Sequence, residues 1–276
     1  MINRNGITLF DGAGGTQLWK LAEEAGIDAI EVWKYNITNP ELVEKMNRLY
    51  IEAGADMIQI NTFAVNRQSV ARTSEYTVSQ VVGAACDIAI RAAEGTDAEP
   101  YLDCGPLSVL MAPYGTMTAE ECGEIYGEIM DAAKEKGIKT CVIETFMDLE
   151  MMKAAAAEAK KRGFFTICSM SFEKRRRTMM GNTVEQFCRA MEELGVDGIG
   201  CNCSHGPVQS MEVINEFRGK TSLPLFFKPN AGVGESCGAD AFAAELEPAL
   251  GFVSFAGGCC GTDPSYISAL AAKIKK

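Results

Sequence analysis

The pentad Gly257-Gly258-Cys259-Cys260-Gly261, with Asn202-Cys203 more than fifty positions upstream, offers three thiols to one soft metal ion. Zinc is the expected occupant. Three thiolates leave one tetrahedral position open, which is the pattern of a catalytic zinc and not of a closed structural one. Two adjacent cysteines reach one ion only where the backbone turns tightly, and flanking glycines permit the torsions of such a turn. The ligand type also indicates a chemistry. Three thiolates more than cancel the ion's double charge, so such a zinc polarises carbonyls poorly and suits the holding of a fourth sulfur. A free thiol has a pKa near ~8.5, and coordination to a metal removes its proton. A sulfur held this way stays electron-rich, which favours attack on a soft electrophile, such as an activated methyl group, over hydrolysis.

Other readings of the same residues stand beside this one. A cytosolic thiol is commonly an inert, buried side chain. Cys201 is a rival ligand, but strand periodicity puts it on the same side as Cys203 and one pleat deeper, as a supporting core thiol. A Cys259–Cys260 disulfide is conceivable and would be a strained, labile ring. His205 is the only histidine in the chain, which nearly excludes triads and histidine-rich metal sites. It could complete a Cys3His set, although a closed set would block catalysis, so a supporting or exposed loop position is favoured.

Glu144 ends an apolar run, and an acid there must pair or bind a cationic ligand, because burying it alone is expensive. It is a candidate receptor for an amino group, with a salt bridge in the rim as the alternative. Asp11, in Phe10-Asp11-Gly12-Ala13-Gly14-Gly15-Thr16, is a candidate for the same role, with glycines that let the backbone come close to a ligand. That spacing is not the GxGxxG of a dinucleotide loop. The run Lys174-Arg175-Arg176-Arg177 reads as a solvated face, near enough to the same rim to meet an acidic partner or an anionic cofactor. Met151-Met152 and Met179-Met180 read as flexible core filling.

Positioning these residues calls for strands and helices in alternation. Short apolar runs bounded by turn residues give eight strand candidates, at 7–10, 56–60, 101–104, 141–144, 165–170, 197–201, 224–228 and 252–255. Most are nearly continuous in apolar residues, as strands buried on both faces should be. Asn39-Pro40-Glu41 and Asp263-Pro264 mark helix starts, and Thr118–Glu121 and Thr183–Gln186 read as capping boxes. Eight alternations without a linker predict an α/β fold, a single (β/α)8 TIM barrel over residues 1–276; a doubly wound open sheet shares the local pattern. In the barrel, Asp11, Asn61-Thr62, Glu144-Thr145, Asn202-Cys203, Pro229-Asn230 and Gly258-Cys259-Cys260 all fall at the C-terminal ends of strands, where such folds carry their sites.

Composition narrows the partners. Lys+Arg 26 against Asp+Glu 37 gives a net charge of -11, which argues against nucleic acid, whose binding rests on neutralising phosphates. No apolar stretch approaches the ~20 residues of a membrane span. Eleven cysteines, an odd number in a long chain, and a start (Met1-Ile2-Asn3-Arg4-Asn5-Gly6) without an apolar signal segment fit a reducing cytoplasm.

At these residues the chain resembles the homocysteine S-methyltransferase family, which includes the homocysteine-binding module of cobalamin-dependent methionine synthase, betaine-homocysteine methyltransferase and S-methylmethionine-dependent enzymes. The likeness runs end to end and is strongest to the methionine synthase module. It is carried by Asp11 to Thr16, Ala53-Gly54-Ala55-Asp56 leading into Asn61-Thr62-Phe63, Glu144-Thr145, Arg177-Thr178 through Gly181 and Thr183, Gly200 to Cys203, Asn230-Ala231-Gly232, and Gly257 to Thr262 with Pro264. The resemblance implies zinc held by Cys203, Cys259 and Cys260, with the sulfur of homocysteine at the open position and methionine as product. It implies that Glu144, aided by Asp11, binds the substrate amino group, that the region of Thr62 holds its carboxylate, and that Asn230 completes the pocket. It also makes Arg177 to Thr183 an ordered turn. The chain ends soon after the eighth unit, so it is expected to lack the family's folate and corrinoid modules. Methylcobalamin would then arrive on a separate corrinoid protein, while a small sulfonium or quaternary ammonium donor, another thiol acceptor, or a non-catalytic zinc-bearing docking subunit are the alternatives.

Overall fold

Eight strands form one sheet in the computed structural model, which describes residues 6–73, 75–173, 175–231 and 237–274. Lys174 of the basic run, Gly232 of the Asn230 segment and the first five residues lie outside the described residues. The strands are β1 (Thr8–Leu9), β2 (Met57–Ile60), β3 (Glu99–Cys104), β4 (Thr140–Phe146), β5 (Phe165–Met170), β6 (Gly198–Cys203), β7 (Leu225–Pro229) and β8 (Phe255–Ala256). All neighbours pair in parallel, in the order β1-β8-β7-β6-β5-β4-β3-β2. The two ends of that order meet through a parallel Phe10–Met57 bridge, with the Asp11 amide donating to Met57 O at 3.2 Å and the Asp56 amide to Leu9 O at 2.7 Å. The sheet therefore closes into the expected (β/α)8 barrel.

The helices start where local chemistry says they should. Both predicted capping boxes form, at Thr118 with Glu121 and at Thr183 with Gln186, and a third forms at Thr77 with Gln80. Pro40 and Pro264 open helices Pro40–Glu52 and Pro264–Ile274. Asn39 makes no side-chain cap, because its amide turns to Glu41 instead.

Packing follows the period-two alternation of strands. Outward side chains join the helices in a large core, while Phe10, Met57, Tyr101, Val142, Ile167, Phe226 and Phe255 fill the barrel interior. Phe10 is the hub, with ring centroids 5.1 Å from Tyr101 and 5.2 Å from Phe226. Two residues further along the same strands, Asp103, Glu144 and Lys228 point into the interior above this aromatic floor. The alternation that fills the bottom of the barrel also loads its upper half with charge.

Several strand ends shift by one to three residues from the sequence reading, and two of the shifts bear on the site. β4 runs on to Phe146 through an irregular register between Ile143 and Phe146, so Glu144 sits inside the strand instead of ending it. β6 extends to Cys203, which pairs with Pro229. Met179 is exposed, whereas Met151 and Met152 are buried as expected.

Candidate active site

Three sulfurs meet at the mouth. Those of Cys203, at the end of β6, and of Cys259 and Cys260, just past β8, all lie within 4.8 Å of one another, and Cys203 Sγ is 3.9 Å from Cys260 Sγ. All three cysteines are free thiols, so the conceivable vicinal disulfide is not formed. The Cys259 and Cys260 thiols donate to Cys203, and against the opposing effect of burial this holds the Cys203 thiol down at about 2. The reciprocal effect raises Cys259 and Cys260, whose protons are retained beside that thiolate. Such a set shares its protons as a unit, and a cation among the sulfurs would displace the remaining ones.

The turn that presents the pair is built by close approach more than by unusual torsions. Gly261 takes the left-handed region, with φ 81°, but Gly257 and Gly258 do not. A Cβ on Gly257 would sit 2.8 Å from Asp11 O, and one on Gly258 2.7 Å from Thr262 Cγ2. Thr262 earns this space: its hydroxyl donates to Cys259 O at 2.7 Å and accepts the Ala13 amide at 3.2 Å, tying the cysteine turn to the glycine loop after β1. Gly12 is likewise packed against Thr262 and Tyr50, so that loop's glycines serve contact between loops.

Backbone strain concentrates here. Of the four non-glycine residues at positive φ among those described, Thr145 (66°), Cys203 (59°) and Ser204 (58°) surround the sulfurs. Such conformations cost about 1–3 kcal/mol each and persist only where the surroundings enforce them. Asn202, 2 % exposed, does much of the enforcing. Its Oδ1 accepts the Thr145 amide at 2.9 Å and the Ser169 hydroxyl at 2.7 Å; its Nδ2 donates to Thr145 Oγ1 at 2.8 Å and faces Cys259 Sγ at 3.8 Å. One side chain thus joins β4, β5 and the cysteine turn.

Beneath the sulfurs lies a buried ionic cluster. Asp11 is fully enclosed: Oδ2 accepts the Gln59 amide at 2.7 Å, and Oδ1 accepts the Tyr101 hydroxyl at 2.8 Å and Lys228 Nζ at 3.2 Å. Lys228 also donates to the Tyr101 oxygen at 3.1 Å and lies 3.8 Å from Glu144 Oε2. Burial alone would lower the Lys228 ammonium, but the Glu144 and Asp11 carboxylates outweigh it and hold it above its ordinary range. Burial raises Glu144, and Lys228 only partly offsets that. Burial, then the nearby Glu144, pushes Asp103 well above the carboxylate range.

The remaining candidates are placed as follows. Thr62 is buried, and its hydroxyl bonds the Asp103 and Ile60 carbonyls, at 2.8 and 3.1 Å, bracing β2 against β3. Asn230 lies beside Cys203, with its amide bonded to His205 O at 3.0 Å and its Oδ1 buried without a partner. His205 stands outside the sulfur cluster, with Nε2 3.7 Å from Glu173 Oε2. Cys201 is buried in the outer core, as the pleat predicted. Arg175 to Arg177 are exposed, and Arg177 closes an ordered turn through a bridge to Thr183 and a 3.0 Å bond to Gly181 O.

A cluster of three cysteine sulfurs, without carboxylate or imidazole among the described residues, fits a thiophilic ion such as zinc. A sequence model described as homocysteine S-methyltransferase matches residues 8–274. The chain belongs to the homocysteine S-methyltransferase family. Among relatives of this family member, methionine synthase of Mycobacterium tuberculosis (strain ATCC 25618 / H37Rv) is 30% identical over 295 residues and that of Mycobacterium leprae (strain TN) 28% over 296. Each alignment takes in 96% of this chain but 24% of the relative, so the chain spans about a quarter of their length. The metallated homocysteine methyltransferase MmuM from Escherichia coli superposes with a TM-score of 0.83 at 21% identity, over 98% of this chain and 97% of that one, and so shares the fold.

Sequence reasoning about this methyltransferase-family barrel placed Asn202 at the mouth without giving it a role, and passed over Tyr101, Asp103 and Lys228. Lys228 was within reach: in the run Pro224-Leu225-Phe226-Phe227-Lys228, strand alternation puts it on the face of Phe226.

Proposed function

We propose that this barrel is a zinc-dependent methyltransferase, in which Cys203, Cys259 and Cys260 hold the ion and homocysteine is methylated on sulfur to give methionine. When bound, zinc would hold the incoming sulfur as a thiolate nucleophile. The chain's own residues do the rest. Glu144, 6 % exposed and with Oε2 lacking a hydrogen-bond partner, receives the substrate ammonium. Asp11 acts from behind, through Lys228 and Tyr101. Asn230 offers its unpartnered Oδ1 at the rim beside Cys203, and the Thr62 hydroxyl, spent on the Asp103 carbonyl, positions β2 and β3 instead of gripping the ligand. The observation that carries this reading is the meeting of three sulfurs above a buried carboxylate with an unspent oxygen.

The donor is proposed to be protein-borne, a methylated corrinoid on a separate partner. In support, Phe63, Leu110, Tyr114 and Met179 are exposed large apolar side chains on the loops that follow β2, β3 and β5, and exposed Val208 stands in the first turn of the helix Pro207–Arg218 that follows β6. An exposed apolar rim marks an interaction surface more readily than a site for a small cation. No helix among the described residues is long and apolar enough to cross a membrane, and the eleven free cysteines support a reducing compartment such as the cytoplasm.

The test is to incubate purified protein with zinc, homocysteine and, in separate reactions, methylcobalamin, a methyl-sulfonium donor and a quaternary ammonium donor, and to measure methionine. Formation with any donor supports the enzyme; tight homocysteine binding without turnover would leave a docking subunit, and no binding would overturn the proposal. Cys259→Ala is expected to lose zinc and activity together while the far-ultraviolet circular dichroism is kept; loss of fold would mean that the site is structural.

A further inference from the structure

Resting on the homocysteine reading above, we propose that Lys228 is the positioning residue that makes the pocket select a thiol carrying a single ammonium group: its hydrogen bond goes to Asp11, which leaves Glu144 Oε2 with a longer ion pair and no hydrogen bond, open to the ligand's cation. Lys228 is 2 % exposed and is the one buried lysine or arginine among the described residues. Three carboxyl groups converge around it, those of Asp11, Asp103 and Glu144. A purely structural ion pair would balance one to one. Here the surplus acids end in oxygens without a hydrogen bond, Glu144 Oε2 and Asp103 Oδ1, both buried.

Charge counting sets the ligand. Asp103 is the carboxyl most strongly driven to its neutral form, by burial and by Glu144. Asp11 is matched by Lys228 at 3.2 Å. Asp11, Glu144 and Lys228 together then carry one net negative charge, and Glu144 Oε2, 3.8 Å from Nζ, has only that looser ion pair and no hydrogen bond. One monocation neutralises that charge. Stability alone does not account for the arrangement, because replacing a buried ion pair by apolar groups is often neutral or stabilising.

Removing the lysine charge would bring Asp11 and Glu144 together as like charges in a buried space, where one must take up a proton. Asp11 would still accept from the Gln59 amide and Tyr101, so Glu144, with no donor of its own, takes it and loses its hold on the ammonium. Removing Asp11 as well would free Glu144 to ionise again.

The experiment is titration calorimetry of the zinc-loaded protein with homocysteine and with 4-mercaptobutanoate, the same thiol acid without the amine. The native protein is expected to prefer homocysteine. In Lys228→Met the preference ratio should fall at least about tenfold, the change that ~1.4 kcal/mol represents, with 4-mercaptobutanoate binding within about threefold of native. Lys228→Met with Asp11→Asn should regain most of the ratio, a rescue that a packing role would not produce. Should Lys228→Met fail to fold, Lys228→Gln, which keeps a hydrogen-bonding end without the charge, is expected to lose the ratio likewise. An unchanged ratio, equal weakening of both thiols, or a double variant no better than the single would overturn the inference while leaving homocysteine binding intact. A native protein that binds neither thiol would instead remove the functional reading on which it rests.

Discussion

Asn202 is where geometry, strain and metal affinity meet, and replacing it by alanine should be felt in all three. The side chain makes three hydrogen bonds of 2.7–2.9 Å, to Thr145 twice and to Ser169, in a position 2 % exposed. At ~1 kcal/mol net for each, and with the half-buried Thr145 amide and the buried Ser169 hydroxyl left without that partner, the gross loss is about 3–6 kcal/mol. Release of the left-handed Thr145 backbone returns ~1–3 kcal/mol of strain, so the net destabilisation centres on about 2.5 kcal/mol. For a chain of this size each kcal/mol moves the melting temperature by roughly 2–4 °C. Scanning calorimetry of the metal-free protein should therefore show a fall of about 5–10 °C. Because Nδ2 also faces Cys259 Sγ at 3.8 Å, zinc affinity measured by chelator competition should drop by about 10–100-fold, as it does when groups that orient metal ligands are removed. Asn202→Asp keeps the shape but sets a negative charge beside the sulfurs, and should weaken zinc at least as much with a smaller loss of melting temperature. A shift below about 2 °C with native zinc affinity in Asn202→Ala would refute the assignment of Asn202 as the strut of the site.

Two further outcomes follow from the same geometry. Gly258→Ala places a Cβ 2.7 Å from Thr262 Cγ2, which must displace Thr262 from the Cys259 carbonyl; zinc affinity should fall about tenfold or more while circular dichroism stays native, and unchanged affinity would show that the turn tolerates a side chain there. Glu144→Gln removes the proposed ammonium receptor and should raise the homocysteine dissociation constant by about 10–100-fold, in keeping with ~1.5–3 kcal/mol for a hydrogen bond to a charged group. Its zinc content should stay at the native value, and a loss of zinc instead would move Glu144 from the substrate to the metal.

Much of the molecule is written locally. Strands buried on both faces appear as apolar runs, helices begin at Thr-x-x-Glu and Thr-x-x-Gln boxes, and the barrel follows from eight alternations because parallel strands must be joined by crossovers. The mouth is legible for the same reason: residues just past each run fall on one rim, so Cys203, Cys259 and Cys260 could be named together although 57 positions separate Cys203 from Cys260. What lies inside the barrel was not legible in this way. Lys228 meets Asp11 across 217 positions and Tyr101 across 127. Those pairings depend on barrel closure and on the level that each side chain reaches above the aromatic floor, which no single segment encodes. Sequence alone determined which atoms are available, three soft sulfurs and an acid at one end of a barrel. Tertiary structure decided which of them are spent: Asp11 on Lys228 and Thr62 on a neighbouring carbonyl, with Glu144 and Asn230 each keeping an oxygen without a hydrogen bond. The physical reason is that hydrogen-bond capacity and charge balance are properties of a closed neighbourhood, and the chain has no neighbourhood until it folds.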